Sequence, residues 1–378
     1  MNFKITGTGS CIPDITKTNT EFLNSNFFDD DGNQIERSNP EIIDKFQSIT
    51  GINERKYVSD EIKSSDLAAV AAQKAIKDSN IDQESLDYII VAHNFGDISS
   101  NSSQIDTLPS LSSKVKAKLK IKNPKCVAYD IICGCPGWVE GVIQAKSFIK
   151  SGMANKCLII GCDTLSRVSD SNDRDSMIYA DGSGAIILES NDSSSSGILS
   201  HNSATYTFDG ENEFLYYGAS CNPEINKNSN QKYIKMHGRK VYEFALNNVP
   251  NAMKDCFDES KCKIENLKKI FIHQANKKMD EAIIKRFYRL YKVPQPENIL
   301  PMNIEEYGNS SVATIPTLFD LVKKNDYQGH KLNTGDIIMF ASVGAGMNIN
   351  AITCLLYTSD AADDSLRVDL GGRRIIKK

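Results

Sequence analysis

One order of elements occurs twice in the chain, about 180 residues apart, and that repeat limits the folds open to it. Asp66 to Ala75 reads as an amphipathic, alanine-rich helix. Ile81-Asp82 and Leu86-Asp87 follow, then the strand Tyr88-Ile89-Ile90-Val91-Ala92 ending at His93. Tyr242 to Phe257 reads as a second helix, followed by Ile264-Glu265, Leu267-Lys268 and the strand Lys269-Ile270-Phe271-Ile272 ending at His273. Cys157 to Gly161 and Asp336 to Phe340 form a further pair of apolar runs, each behind a helix and a short polar turn. Apolar runs bounded by turns and alternating with helical periodicity predict layered α/β architecture. The repeat makes it one unit of two duplicated halves. The join is expected in the Ser-rich stretch Asn191 to Ser196, giving halves 1–190 and 191–353. The Asn/Asp-rich stretch Phe28 to Asn39 reads as a surface insertion.

Composition excludes several function classes. A net charge of −4 on 378 residues offers no electrostatic footprint for nucleic acid or an anionic membrane. No apolar run of about 18 residues spans a bilayer, and the N-terminus lacks a signal-peptide core, so a cytoplasmic location is expected. Ten cysteines without Cys-x-x-Cys spacing predict free thiols. Residues 354–378 break in composition from the rest and resemble a translated sequencing adapter. They are expected to be a non-native tail and are set aside from the fold.

The strongest local signal is Val127 to Trp138. It opens as an apolar strand, turns at Gly134 to Gly137, and enters a helix with Trp138, Val142, Ala145 and Ile149 on one face. Cys135 thus sits at a helix N-terminus, where the macrodipole and free N–H groups favour a thiolate, and the flanking glycines let a substrate approach. This is a nucleophile elbow in outline, with cysteine for serine. The alternatives are two small buried packing residues or a metal pair; zinc needs four ligands and no second Cys/His pair is suitably spaced, so no metal is expected. Five histidines are present. His93 and His273 hold equivalent places, each a strand-end residue or a catalytic partner for the cysteine. Asn309 or Ser310 could cap the helix that follows. Ser342 to Gly346 could be a tight turn or an oxyanion site of backbone N–H groups.

Together these motifs resemble the β-ketoacyl-acyl-carrier-protein synthase III family of the thiolase superfamily. The resemblance spans residues 1–353. It runs through Gly7-Thr8-Gly9-Ser10, Thr50-Gly51-Ile52-Asn53-Glu54-Arg55, the Cys135 elbow, Lys150-Ser151-Gly152 and Asp181-Gly182-Ser183-Gly184-Ala185, then His273-Gln274-Ala275-Asn276 and Gly308-Asn309-Ser310-Ser311. It implies an α-β-α-β-α thiolase-like fold, a homodimer and a Cys135/His273/Asn309 triad. Cys135 would carry the acyl group, while His273 and Asn309 would stabilise the enolate formed when a malonyl-carrier substrate loses CO2. Backbone N–H groups of Cys135 and Ala345 would bind the oxyanion. No cofactor is implied beyond acyl-CoA or acyl-carrier thioesters as substrates. Asp181 to Ala185 is expected to be a structural turn.

Lys278, Lys285 and Arg286 fall on one helix face. That spacing fits a solvated basic face, and the resemblance implies docking of an acyl carrier protein there. Where the family holds the coenzyme A adenine between a tryptophan and an arginine, this chain has Lys45 and Ile49. The chain-length gate, contributed by the partner subunit, corresponds to Leu108. These departures, with Cys135-Pro136-Gly137-Trp138 at the elbow, suggest a specialised relative. The alternative to fatty-acid or related lipid and polyketide synthesis is therefore a synthase III-like acyltransferase, or a condensing and cyclising enzyme of aryl-lipid metabolism.

Overall fold

The structure is a computed structural model that describes residues 2–100, 102, 104–191, 197–325 and 327–356. From the N-terminus the chain forms β1 (Asn2–Cys11), β2 (Ile15–Thr18), α1 (Asn39–Thr50), β3 (Glu54–Tyr57), α2 (Ser64–Ser79), β4 (Tyr88–Ala92), α3 (Leu111–Lys118), β5 (Val127–Ile131), α4 (Gly137–Lys150), β6 (Lys156–Thr164) and β7 (Asp181–Asn191). It continues with β8 (Gly197–Thr205), β9 (Leu215–Gly218), α5 (Pro223–Asn228), β10 (Tyr233–Met236), α6 (Gly238–Glu259), β11 (Leu267–Ile272), α7 (Lys277–Leu290), α8 (Ile304–Tyr307), α9 (Thr314–Asn325), β12 (Ile337–Gly344) and β13 (Asn348–Leu355).

Two sheets carry the architecture. The first has the order β1-β7-β6-β4-β5 and the second β8-β13-β12-β11. Read in that order, each begins with two antiparallel pairings and continues with a parallel one. β5 then pairs parallel with β4, and in the matching place the Ile270 N–H donates to the Ile299 carbonyl beside β11 (2.9 Å). The inner strands β4, β6, β12 and β13 are buried on both faces, which explains why they read as continuous apolar runs. Side chains alternate between cores: Ile90 and Ala92 of β4 face the centre with α4 and α9, while Ile89 and Val91 face α2 and α3. In the second sheet Ile338 and Phe340 of β12 face the same centre, and Met339 and Ala341 face α6 and α7. The layers are therefore α2/α3, sheet, α4/α9, sheet and α6/α7: the thiolase-like α-β-α-β-α order. Trp138 of α4 and Phe319 of α9 both meet Phe340 edge-on, at 5.5 and 5.2 Å between ring centroids.

Three expectations change. Asp181 to Ala185 is the start of β7, not a turn, because Asp181 is tied inward by the Val58 and Ser166 N–H groups. Phe28 to Asn39 is more than a surface insertion: Phe28, Ile35 and Arg37 line the cavity described below. Its Phe28 and Ile35 supply apolar area that the polar composition conceals. β13 also runs to Leu355, with Cys354 buried and paired with Ile198, so the strand crosses the boundary expected at 353. Residues 357–378 of the expected tail and 192–196 of the expected join lie outside the described residues. Among the described residues, no helix is long and apolar enough to cross a membrane.

Candidate active site

Cys135 and Asn309 lie at the N-terminal ends of the two central helices. β5 gives way to α4 through a turn in which Gly134 takes φ +63° and Pro136 caps the helix. A Cβ on Gly134 would lie 2.8 Å from the Ala345 nitrogen, and one on Gly344 2.6 Å from the Cys135 nitrogen. Only glycines allow this approach, which seats the Cys135 turn against the Ala345 turn. Asn309 precedes α9. Its N–H donates to the Ile178 carbonyl and its own carbonyl accepts from Ala180 N–H (2.9 and 2.8 Å). Its side-chain Oδ1 accepts from the Ser311 N–H (2.8 Å), which fixes the amide and leaves the NH2 end for other partners.

His273 ends β11 and is held by its N–H to the Ala341 carbonyl (2.9 Å). Its Nδ1 is buried without a hydrogen-bond partner. Burial pushes the imidazole down to about 4, offset only in part by the Ser311 backbone, so it is neutral at pH 7. The equivalent His93 is committed on both nitrogens: Nδ1 accepts from the Gly96 N–H (2.9 Å), and Nε2 lies 2.9 Å from Asp130 Oδ2. That pairing separates two histidines which the repeat leaves equivalent.

Cys135, His273, Asn309 and Ala345 line one cavity of ≈ 1270 Å³. Burial pushes the Cys135 thiol up to about 12, against the pull of the Ser311 hydroxyl. This reverses the expectation of a favoured thiolate: desolvation outweighs the helix terminus. The cavity walls are largely apolar, with Phe28, Ile35, Phe95, Tyr217, Ile234 and Met236 among them. Exposed Arg37, Lys45, Ile49, Arg174 and Arg239 belong to its rim, beside Asp29 and Asp30.

Other expected residues lie elsewhere. Lys278, Lys285 and Arg286 are exposed on α7, outside the lining. Arg286 also ties α7 to α6, donating to the Leu246 carbonyl (2.8 Å) and Asn247 Oδ1 (3.1 Å). Leu108 is 90% exposed and does not line this chain's own cavity. Among the described residues, one grouping has metal-ligand spacing, Asp170/Asp173/Cys221. The Lys235 ammonium already sits there, at 2.6, 3.0 and 3.0 Å.

Sequence reading missed a polar chain behind Cys135. Ser311 Oγ donates to Cys135 Sγ (3.3 Å) and accepts from Asn94 Nδ2 (2.9 Å). Asn94 is in turn held by Asp163. The available signal was position: Asn94 follows β4 and Asp163 lies near the carboxyl end of β6, where open α/β sheets place their sites.

The layered fold and its cysteine at a strand-to-helix elbow define a thiolase-type protein. Family models match 3-oxoacyl-[acyl-carrier-protein] synthase III over residues 129–207 and its C-terminal part over residues 257–355. The β-ketoacyl-[acyl-carrier-protein] synthase III of Acaryochloris marina is 32% identical over 80% of this chain and 86% of its own length. That of Clostridium botulinum is 31% identical over 94% and 98%. The crystal structure of the Aquifex aeolicus 3-oxoacyl-[acyl-carrier-protein] synthase III superposes with a TM-score of 0.76 at 26% identity, covering 94% of this chain and all of that one. The priming β-ketosynthase of the R1128 polyketide pathway shares the fold, with a TM-score of 0.78 at 19% identity over 95% of this chain and 97% of that one. The chain belongs to the 3-oxoacyl-[acyl-carrier-protein] synthase III family of acyltransferases.

Proposed function

We propose that this chain catalyses decarboxylating Claisen condensation of an acyl thioester with a malonyl-acyl-carrier-protein, in fatty-acid or related lipid and polyketide synthesis. The observation that carries the reading is the meeting of Cys135, from the first half, with His273 and Asn309, from the second, in one largely apolar cavity. Cys135 Sγ attacks the acyl thioester carbonyl; the new S–C bond replaces the old one, and the departing thiol takes the proton. Cys135 and Ala345 N–H groups bind the oxyanion of that step. The malonyl thioester then enters. Neutral His273 and the Asn309 NH2 donate to its carbonyl oxygen, the C–CO2 bond breaks, and its electron pair forms the enolate. The enolate carbon attacks the acyl-cysteine, the C–S bond breaks with its electron pair left on Cys135 Sγ, which takes a proton from water, and the 3-oxoacyl thioester leaves. Two neutral donors suit this step, because negative charge develops on oxygen only as CO2 departs.

Neither metal nor cofactor has a role in this chemistry beyond the thioesters themselves. The exposed basic side chains of Lys278, Lys285 and Arg286 would dock the acyl carrier protein. β5 ends its sheet with Val127 exposed, and Ile132 (67% exposed) and Leu108 extend an apolar edge that suits a homodimer. Leu108 would then gate the partner's cavity. Free cysteines suit the cytoplasm. The cavity exceeds the roughly 300–1,000 Å³ of ordinary small-molecule sites, and the Phe28–Ile35 wall adds apolar surface. Both favour a primer larger than acetyl.

The test is a panel of acyl thioesters with malonyl-acyl-carrier-protein, following CO2 release and product mass. Wild type yields 3-oxoacyl product, and Cys135→Ala yields CO2 without it. Full condensation by Cys135→Ala would overturn the reading.

A further inference from the structure

We propose that Asp163, Asn94 and Ser311 form a polarised hydrogen-bond chain that positions the Cys135 thiol and stabilises its thiolate during acyl transfer. The proposal rests on Cys135 being the nucleophile.

The direction of the chain follows from donor and acceptor counts. An ionised Asp163 only accepts. Its Oδ1 takes the Asn94 backbone N–H (2.9 Å) and its Oδ2 takes Asn94 Nδ2 (2.6 Å). The second contact turns the Asn94 NH2 group toward the carboxylate and fixes which end of the amide is nitrogen. The second hydrogen of that NH2 is donated to Ser311 Oγ (2.9 Å). Ser311 Oγ donates its one hydrogen to Cys135 Sγ (3.3 Å), and its hydroxyl also holds the Asp163 carboxyl down. The order Asp163, Asn94, Ser311, Cys135 thus ends in a donor aimed at sulfur. Asp163 and Ser311 are buried, where such bonds polarise one another.

Three separate segments converge here: the end of β6, the loop two residues after β4, and the entry to α9. Ser311 holds φ +54°, a left-handed conformation that costs free energy in a residue with a Cβ and persists only where the surroundings enforce it. The strained residue serves two members of the site. Its hydroxyl faces Cys135, while its N–H holds Asn309 Oδ1 (2.8 Å). Burial pushes the Asp163 carboxyl up to about 6, which leaves it ionised at neutral pH. Its charge raises the Cys135 pKa while the Ser311 hydroxyl lowers it. These opposed effects make the role of Asp163 testable by sign.

The experiment measures two rates on the full chain: iodoacetamide labelling of Cys135 across pH 7–10, and single-turnover acyl transfer to it. Malonyl-thioester decarboxylation serves as the third readout. Ser311→Ala should slow labelling and acylation by about ten- to a hundredfold, the ratio one hydrogen bond to a charged acceptor carries. Because the Ser311 N–H to Asn309 survives, decarboxylation should fall at least several times less. Asp163→Asn presents an NH2 to Asn94 and turns its amide, so that Ser311 donates to Asn94 instead of sulfur. It should therefore slow labelling; if Asp163 acts by charge alone, labelling speeds up and the proposal fails. Equal loss of all three rates in Ser311→Ala would make the role structural and also overturn it. Ser311→Gly relieves the backbone strain while removing the same hydroxyl, and must show the same split. Cys135→Ala separates the two claims: if it still transfers acyl groups, the nucleophile assignment falls, whereas wild-type rates in both Ser311 variants sink the positioning chain alone.

Discussion

His93 and His273 end equivalent strands of the two sheets, yet His93 lies 2.9 Å from Asp130 and accepts from Gly96, whereas His273 keeps Nδ1 without a partner. The two sheets carry the same residue in the same place, and its surroundings differ. His273→Ala should lower malonyl-thioester decarboxylation by about two to three orders of magnitude, the usual cost of one oxyanion donor, with little change in Tm. His93→Ala should instead cost about 1–3 kcal/mol of stability through the stranded Asp130 and Gly96 groups. Decarboxylation kinetics and thermal melts of both variants check the division; the opposite pattern would exchange the assignments.

The stability of the fold should carry the signature of Asp163. Burial raises its pKa to about 6 in the folded protein from an ordinary carboxylate value of 3.8, so between those values the folded protein holds more protons than the unfolded chain. Stability from this group therefore falls as pH rises through that window, by roughly 2–3 kcal/mol in all. Asp163→Asn removes the effect. Its Tm relative to wild type should be higher at pH 7.5 than at pH 4, whatever constant offset the amide brings. A pH-independent difference would contradict the buried, ionised state.

Primer size should depend on the segment between β2 and α1. Phe28 and Ile35 face the cavity with Tyr217 and Ile234, and each methylene withdrawn from water contributes about 0.8 kcal/mol. Phe28→Asp and Ile35→Asn should raise KM for acyl donors of eight or more carbons by about tenfold, roughly two methylenes' worth of burial. Acetyl and propionyl donors should change little. A uniform loss across chain lengths would show that the segment only supports the fold.

Carrier docking gives a salt-sensitive prediction. Lys285→Glu and Lys278→Glu should raise KM for malonyl-acyl-carrier-protein by roughly three- to tenfold, with kcat for small thioester analogues unchanged. The effect should shrink above about 0.5 M salt as the charges are screened. Arg286 makes a poorer probe, because its guanidinium also fastens α7 to α6. If both substrates suffer alike, the face is not a docking surface.

What the sequence made legible follows from the range of the interactions involved. Strands buried on both faces, glycine at tight turns and cysteine at a helix entry are local patterns, and they pointed to the layered fold and the Cys135 elbow. The same locality made His93 and His273 indistinguishable, since their separation depends on Asp130, 37 residues from His93. Burial is not local either. The helix terminus favours a thiolate, but the surroundings of Cys135 push its thiol up to about 12, and no spacing rule weighs those two effects. Asn94 and Ser311 are 217 residues apart; their link exists only after the halves close on one another. The Phe28 to Asn39 stretch misled for a related reason, because polar composition described its outer side and hid Phe28 and Ile35.

The last prediction concerns assembly. Leu108 is 90% exposed, adjoins Pro109 and is absent from its own cavity, and Ile132 just beyond the edge strand β5 is 67% exposed. Side chains this apolar at an unpaired sheet edge are satisfied when a second copy covers them. Sedimentation should give a dimer for wild type, and Ile132→Asp should shift it toward monomer with loss of condensation. Leu108→Ala should preserve the dimer while altering the distribution of primer lengths, and Leu108→Phe should narrow it. A monomeric wild type that remains fully active, or a Leu108 series with unchanged products, would remove the gate from the partner's cavity.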